Sequence, residues 1–178
     1  MRMRTIKMLG NFNIMDRKQQ LLTSLKSEDD LGVVVRSLII IERYINEIVE
    51  SAMISPEYFR NIKLDFSYKV KLALSMGLDP DFEKILSTLG TIRNDFAHNL
   101  RAVLGKQDVN NLYQNLCPND KELLQEIFQY FKTNIPEFKQ TQFQSISPKD
   151  KFILIVIFIT GTLSSACEQL PNKAIKQD

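Results

Sequence analysis

From Phe152 to Cys167, 16 residues counted inclusively, the chain carries no charge. A helix that spans a membrane needs about 20 apolar residues. This run is shorter and includes Gly161 with Thr160, Thr162, Ser164 and Ser165. It therefore predicts a helix covered on all sides by the rest of the chain, with no membrane span. Ser147-Pro148 opens it, with serine as N-cap and proline at the first helical position, and it runs to about Leu170.

The remaining sequence supplies helices to do the covering. Six glycines and six prolines punctuate 178 residues. Between them the apolar residues recur at three and four positions, with little room for strand alternation. A first helix is expected over Met15 to Leu25. Ser27 is expected to cap a second that reaches about Ala52. On it Leu31, Val34, Val35, Leu38, Ile41, Ile45, Ile48 and Val49 form the buried stripe, widened by Val33, Ile39 and Ile40. Ser55-Pro56-Glu57 opens a short turn. Phe66 to Met76 is a helix closed by Gly77 in the left-handed conformation. Asp79-Pro80 opens another, with Phe82, Ile85, Leu86, Leu89, Ile92, Phe96 and Leu100 on one face, ended by Gly105. Asp108 to Leu116 and Pro118 to Phe131 follow, then a polar loop from Thr133 to Ser147. The expected fold class is an all-α bundle of about six to seven helices. The organisation is a leader and N-terminal helix over 1–26, one bundle over 27–170 and a loose tail over 171–178.

Charge and cysteine content narrow the chemistry. Lys and Arg total 23 against 21 Asp and Glu, a formal net charge of +2, so neither a basic coat nor an acidic tail organises the protein. Two cysteines, Cys117 and Cys167, cannot build a disulfide framework or a four-thiolate zinc site. No glycine-rich phosphate loop, cofactor-binding motif or metal-ligand spacing is present. The basic start, Met1 to Lys7, leads into no apolar run, and with free thiols this points to the cytoplasm.

The segment Arg93-Asn94-Asp95-Phe96-Ala97-His98 holds the protein's single histidine. At about 100° per residue, Arg93 falls ~20° from Phe82, inside the apolar stripe, while His98 points to ~160°. A guanidinium cannot be buried unpaired. Either it meets a carboxylate within the bundle, with Glu42 or Glu47 as candidates, or the stripe opens at that level into a cleft or subunit interface. Arginine and histidine form a minimal set for metal-free RNA cleavage: imidazole exchanges a proton near neutral pH, and the guanidinium holds phosphate oxygens as charge builds. One imidazole cannot be acid and base at once. A second chain, or a polar stand-in such as Asn94 or Asp95, must provide the other proton transfer. The plain alternative is a helix-end salt bridge beside a surface histidine.

Ile92-Arg-Asn-Asp-Phe-Ala-His98 at the end of a bundle helix resembles the signature of the HEPN superfamily, in which Arg is followed four to six residues later by His. Leu64 to Leu78, with the same motif after it, also resembles the mannitol operon repressor-like branch. The similarity covers roughly Ser27 to Leu100. The resemblance implies a dimeric, all-α, metal-independent endoribonuclease serving as a toxin or antiviral defence effector, with an antitoxin or regulatory protein as partner. It implies Arg93 and His98 as catalytic and Asn94 as supporting. It equally allows a non-catalytic regulator or adaptor whose Arg–His pair is structural.

Beyond the motif, Arg101 and Lys106 are placed to add RNA phosphate contacts, or simply to favour a helix C-terminus. Lys69 and Lys71 with Tyr68 read as the solvated face of an amphipathic helix, with an RNA path as the alternative. Cys117 lacks a nearby base, and the phenylalanines between 128 and 143 read as core or interface.

Overall fold

The computed structural model describes residues 12–98 and 103–169. Among them are eight α-helices and no strand: α1 (Phe12–Lys26), α2 (Asp30–Ala52), α3 (Pro56–Arg60), α4 (Phe66–Ser75), α5 (Phe82–His98), α6 (Lys106–Gln114), α7 (Pro118–Asn134) and α8 (Pro148–Gln169). A 3-10 turn over Pro136–Phe138 interrupts the loop before α8. The chain is an all-α bundle.

α8 occupies its centre. Phe152 through Thr160 are all buried, as are Thr162, Leu163 and Ala166. Helices α1, α2, α6 and α7 pack around it. By length and composition α8 is apolar enough to cross a membrane, yet protein covers most of it. The hydroxyls of Thr160 and Thr162 donate to the carbonyls of Val156 and Phe158, which removes the cost of burying them. Ser147 caps the helix as expected: its Oγ accepts from the Asp150 amide at 3.0 Å.

The boundary at residue 27 does not detach α1, whose Leu22 and Leu25 lie in the core. At the α1–α2 junction Asp29 replaces Ser27 as the cap. Its carboxylate accepts from the Gly32 amide at 2.7 Å, while the Ser27 hydroxyl turns back to the Ser24 carbonyl. Both residue types cap well, and the one adjacent to the first helical residue takes the role.

Gly77 has φ 110° and closes α4. The amides of Gly77 and Leu78 donate to the carbonyls of Leu74 and Ala73, satisfying the helix end and sending α5 back along α4. Asp79 accepts from the Asp81 amide, and regular helix begins at Phe82. Gly105 lies beyond α5, whose described residues run to His98. It is the N-cap of α6, held by the Asp108 carboxylate. Leu100 lies outside the described residues.

The stripe on α2 is narrower than its periodicity suggests. Val33, Val34, Leu38, Ile41, Ile45, Ile48 and Val49 are buried. Leu31, Val35 and Ile39 are not: they are 46%, 41% and 63% exposed. Spaced four residues apart, they form one apolar row on the outside of the helix.

Candidate functional site

A cleft of about 570 Å³ opens between α2, α4 and α5. α5 contributes Glu83, Ser87, Gly90, Thr91, Arg93, Asn94 and His98 to it, and Asp65, just before α4, lines it as well. Leu38 and Glu42 come from α2, and Phe66, Ser67 and Lys71 from α4. Its depth depends on Gly90. A Cβ there would sit 3.3 Å from the Phe66 ring, so the glycine lets that ring lie directly on α5.

Arg93 shares the angular range of the buried stripe, yet it is exposed. Phe66, at the start of α4, covers α5 at Gly90. One turn further on, α4 has no residue left to cover Arg93, and the stripe opens. Of the two sequence-level solutions, the open cleft is the one the fold adopts. Glu42 lines the same cleft but is held by Lys69 at 2.6 Å, and Glu47 is solvent-exposed on α2. Among the described residues Arg93 makes no ion pair; its Nη1 donates to Asn94 Oδ1 at 3.1 Å. Asn94 thereby fixes the guanidinium without neutralising it.

His98, in the last turn of α5, is exposed and lines the same cleft. The loop beyond is anchored where the Leu104 amide donates to Asp30 Oδ2 at 2.7 Å. That bond holds the chain emerging from α5 against the first turn of α2. Arg93, Asn94 and His98 are thus brought together. Arg101 lies outside the described residues. Lys106 is exposed at the start of α6 and is not part of this cleft. It stands near Lys151, where its charge adds to burial in pushing that ammonium's pKa down.

The pair Lys69 and Lys71 divides. Lys69 is largely covered and neutralised by Glu42, whereas Lys71 faces the cleft with Arg93. Helical periodicity assigns both to a solvated face because it cannot say which polar side a neighbouring helix will overhang. Gly90 was the available signal: a glycine inside an otherwise strong helix marks a close approach. The cysteines stand apart. Burial, and then Glu47, push the Cys167 thiol up to about 12, so it stays protonated and is no nucleophile. Among the described residues no three His, Cys, Asp or Glu side chains gather to hold a metal ion.

The cleft offers two cations, one imidazole, one carboxamide and several hydroxyls, together with the carboxylates of Glu42, Asp65 and Glu83. Such a set can bind a phosphodiester and move one proton. No protein-family profile matches the sequence, and neither curated proteins nor solved structures yield a significant match.

Proposed function

We propose that the protein is a HEPN-type, metal-independent endoribonuclease acting as a toxin or antiviral defence effector. The observation that carries the reading is that Arg93 and His98 line one open cleft, with Arg93 unneutralised by any described carboxylate. A guanidinium kept only as a structural ion pair would be locked to a carboxylate; this one is fixed by a neutral amide and free to meet phosphate.

In the proposed reaction the RNA 2′-oxygen attacks the adjacent phosphorus and the 5′-oxygen leaves. The products are a 2′,3′-cyclic phosphate and a 5′-hydroxyl end. Arg93 and Lys71 hold the phosphate oxygens as negative charge accumulates. Asn94 orients Arg93. His98 takes one of the two proton-transfer roles. The second falls to His98 of another copy, which makes the working unit a homodimer. The apolar row Leu31–Val35–Ile39 supports this. It follows the side of α2 that presents Leu38 and Glu42 to the cleft, so a second copy seated there would place its own cleft beside the first.

The test is cleavage of synthetic RNA with EDTA present. Wild type should cut it, and His98→Ala should lose at least about 100-fold in rate with its melting temperature retained. Ile39→Glu should give a monomer by light scattering and lose cleavage with it. Intact RNA after incubation with wild type, or undiminished cutting by His98→Ala, overturns the reading. The same apolar row would equally suit a foreign protein. Uncut RNA with a retained fold therefore selects the second reading, a non-catalytic regulator or adaptor resembling the mannitol repressor-like proteins.

A further inference from the structure

A second, shallower groove of about 320 Å³ lies between α5 and α6, lined by Thr88, Thr91, Asn111, Gln114 and Asn115. Thr91 also lines the Arg93–His98 cleft, so the two concavities meet along one ridge of α5. At 1.5 Å rise per residue, Thr91 is ~10 Å along the helix axis from His98. The first cleft is ionic. Every side chain lining the second is a neutral hydroxyl or carboxamide, in a chain in which 25% of residues are charged.

Two of the carboxamides are already oriented. Asn115 Nδ2 donates to Thr88 Oγ1 at 2.8 Å, which leaves Asn115 Oδ1 as an acceptor. Asn111 Oδ1 accepts from Gln107 Nε2 at 2.8 Å, which leaves the Asn111 amide group as a donor. Gln114 adds one more donor and acceptor. The hydroxyls are spent locally: Thr88 donates to the Lys84 carbonyl and Thr91 to that of Ser87. Carboxamide donors and acceptors without a cation are a poor grip on phosphate. They are a good match for the edge of a nucleobase, whose donors and acceptors alternate.

We infer that this groove is a base-reading subsite for single-stranded RNA, selecting a nucleotide that flanks the scissile phosphate. The inference rests on the ribonuclease reading for its substrate. Single strands are the ligand because their unstacked bases offer Watson–Crick and Hoogsteen edges, which a duplex keeps paired or out of reach in its narrow major groove. The phosphate held at Arg93 and the base held at Asn111 and Asn115 would fix the strand at two points, so the protein would cut at preferred sequences.

The experiment separates this proposal from the cleavage proposal by measuring binding on a variant that does not cut. His98→Ala is titrated by fluorescence anisotropy with short single-stranded RNAs that differ at one position at a time. One position should show a base preference of at least about fivefold. Asn111→Asp in the same background replaces the donor with an acceptor and should change which base is preferred. Asn115→Ala should flatten the preference to within about twofold. Arg93→Ala should weaken all the RNAs alike and leave the preference in place. Equal affinity for every base, or a preference indifferent to both asparagine changes, overturns the subsite even if wild type cuts RNA. A preference that obeys the asparagines, in a protein that leaves RNA uncut, keeps the subsite and removes the nuclease.

Discussion

α8 and α5 are both long amphipathic-to-apolar helices, and they differ in what surrounds them. α8 is enclosed by four helices and buries twelve side chains around its circumference. α5 buries six, all on one side, and beyond Gly90, where Phe66 at the start of α4 covers it, Arg93, Asn94 and His98 are exposed while Phe96 stays buried. The difference separates a helix most of whose surface goes into the core from one that gives the core a single face and leaves the other to solvent. The closed helix sets whether the protein folds. The open one sets what it can touch, because a residue that no neighbour covers is free to meet a ligand.

The contrast can be broken or sharpened by mutation. The largest effect is expected in the closed region. Phe158→Ala leaves a cavity in a core with no room to collapse and should cost about 3–5 kcal/mol, read as a fall in the denaturation midpoint. A smaller effect of opposite sign is expected where α1 meets the core. Lys18 is only 5% exposed, its Nζ has no hydrogen-bond partner among the described residues, and burial lowers its pKa from the ordinary 10.5. Below the lowered value both folded and unfolded chains carry the proton, and the folded state bears the full desolvation cost. Lys18→Met should therefore stabilise by about 1 kcal/mol or more. Its advantage should shrink as the pH rises through the lowered value, where the folded chain sheds the proton, and vanish above 10.5, where the unfolded chain has lost it too. The smallest effect is expected in the open region. Arg93→Ala should change stability by less than about 0.5 kcal/mol. If thermal melts instead show a loss of several kcal/mol, Arg93 is a buried structural ion and the comparison fails.

The closed region was legible in the sequence, because an uncharged run admits few environments. The start of α8 at Ser147, the left-handed Gly77 and the apolar face of α5 follow from local chemistry alone. The misassigned features depend on neighbours. Periodicity identifies Leu31, Val35 and Ile39 as one face of α2 but cannot say that no helix arrives to cover it. Ser27 and Asp29 are equally able caps, and only the helix start distinguishes them. Arg93 was recognisable as out of place on its stripe, while the opening that accommodates it depends on where α4 begins. Lys71 and the Asn111–Asn115 groove carry no periodic signature, since polar residues on a helix look alike until a second helix frames them.

The position of α8 in the chain has a kinetic corollary. All four helices that wrap it, α1, α2, α6 and α7, leave the ribosome before it does. Until Phe152–Leu163 arrives, α2 can pack on α1, α4 and α5, and α6 on α5, but the faces turned toward α8 stay open. Lys149, whose ammonium bridges the carbonyls of Lys26 and Glu28 at the far end of α1, joins last as well. The inner faces of α1, α2, α6 and α7 therefore complete their burial only once α8 docks, which makes closing the core a late step of assembly.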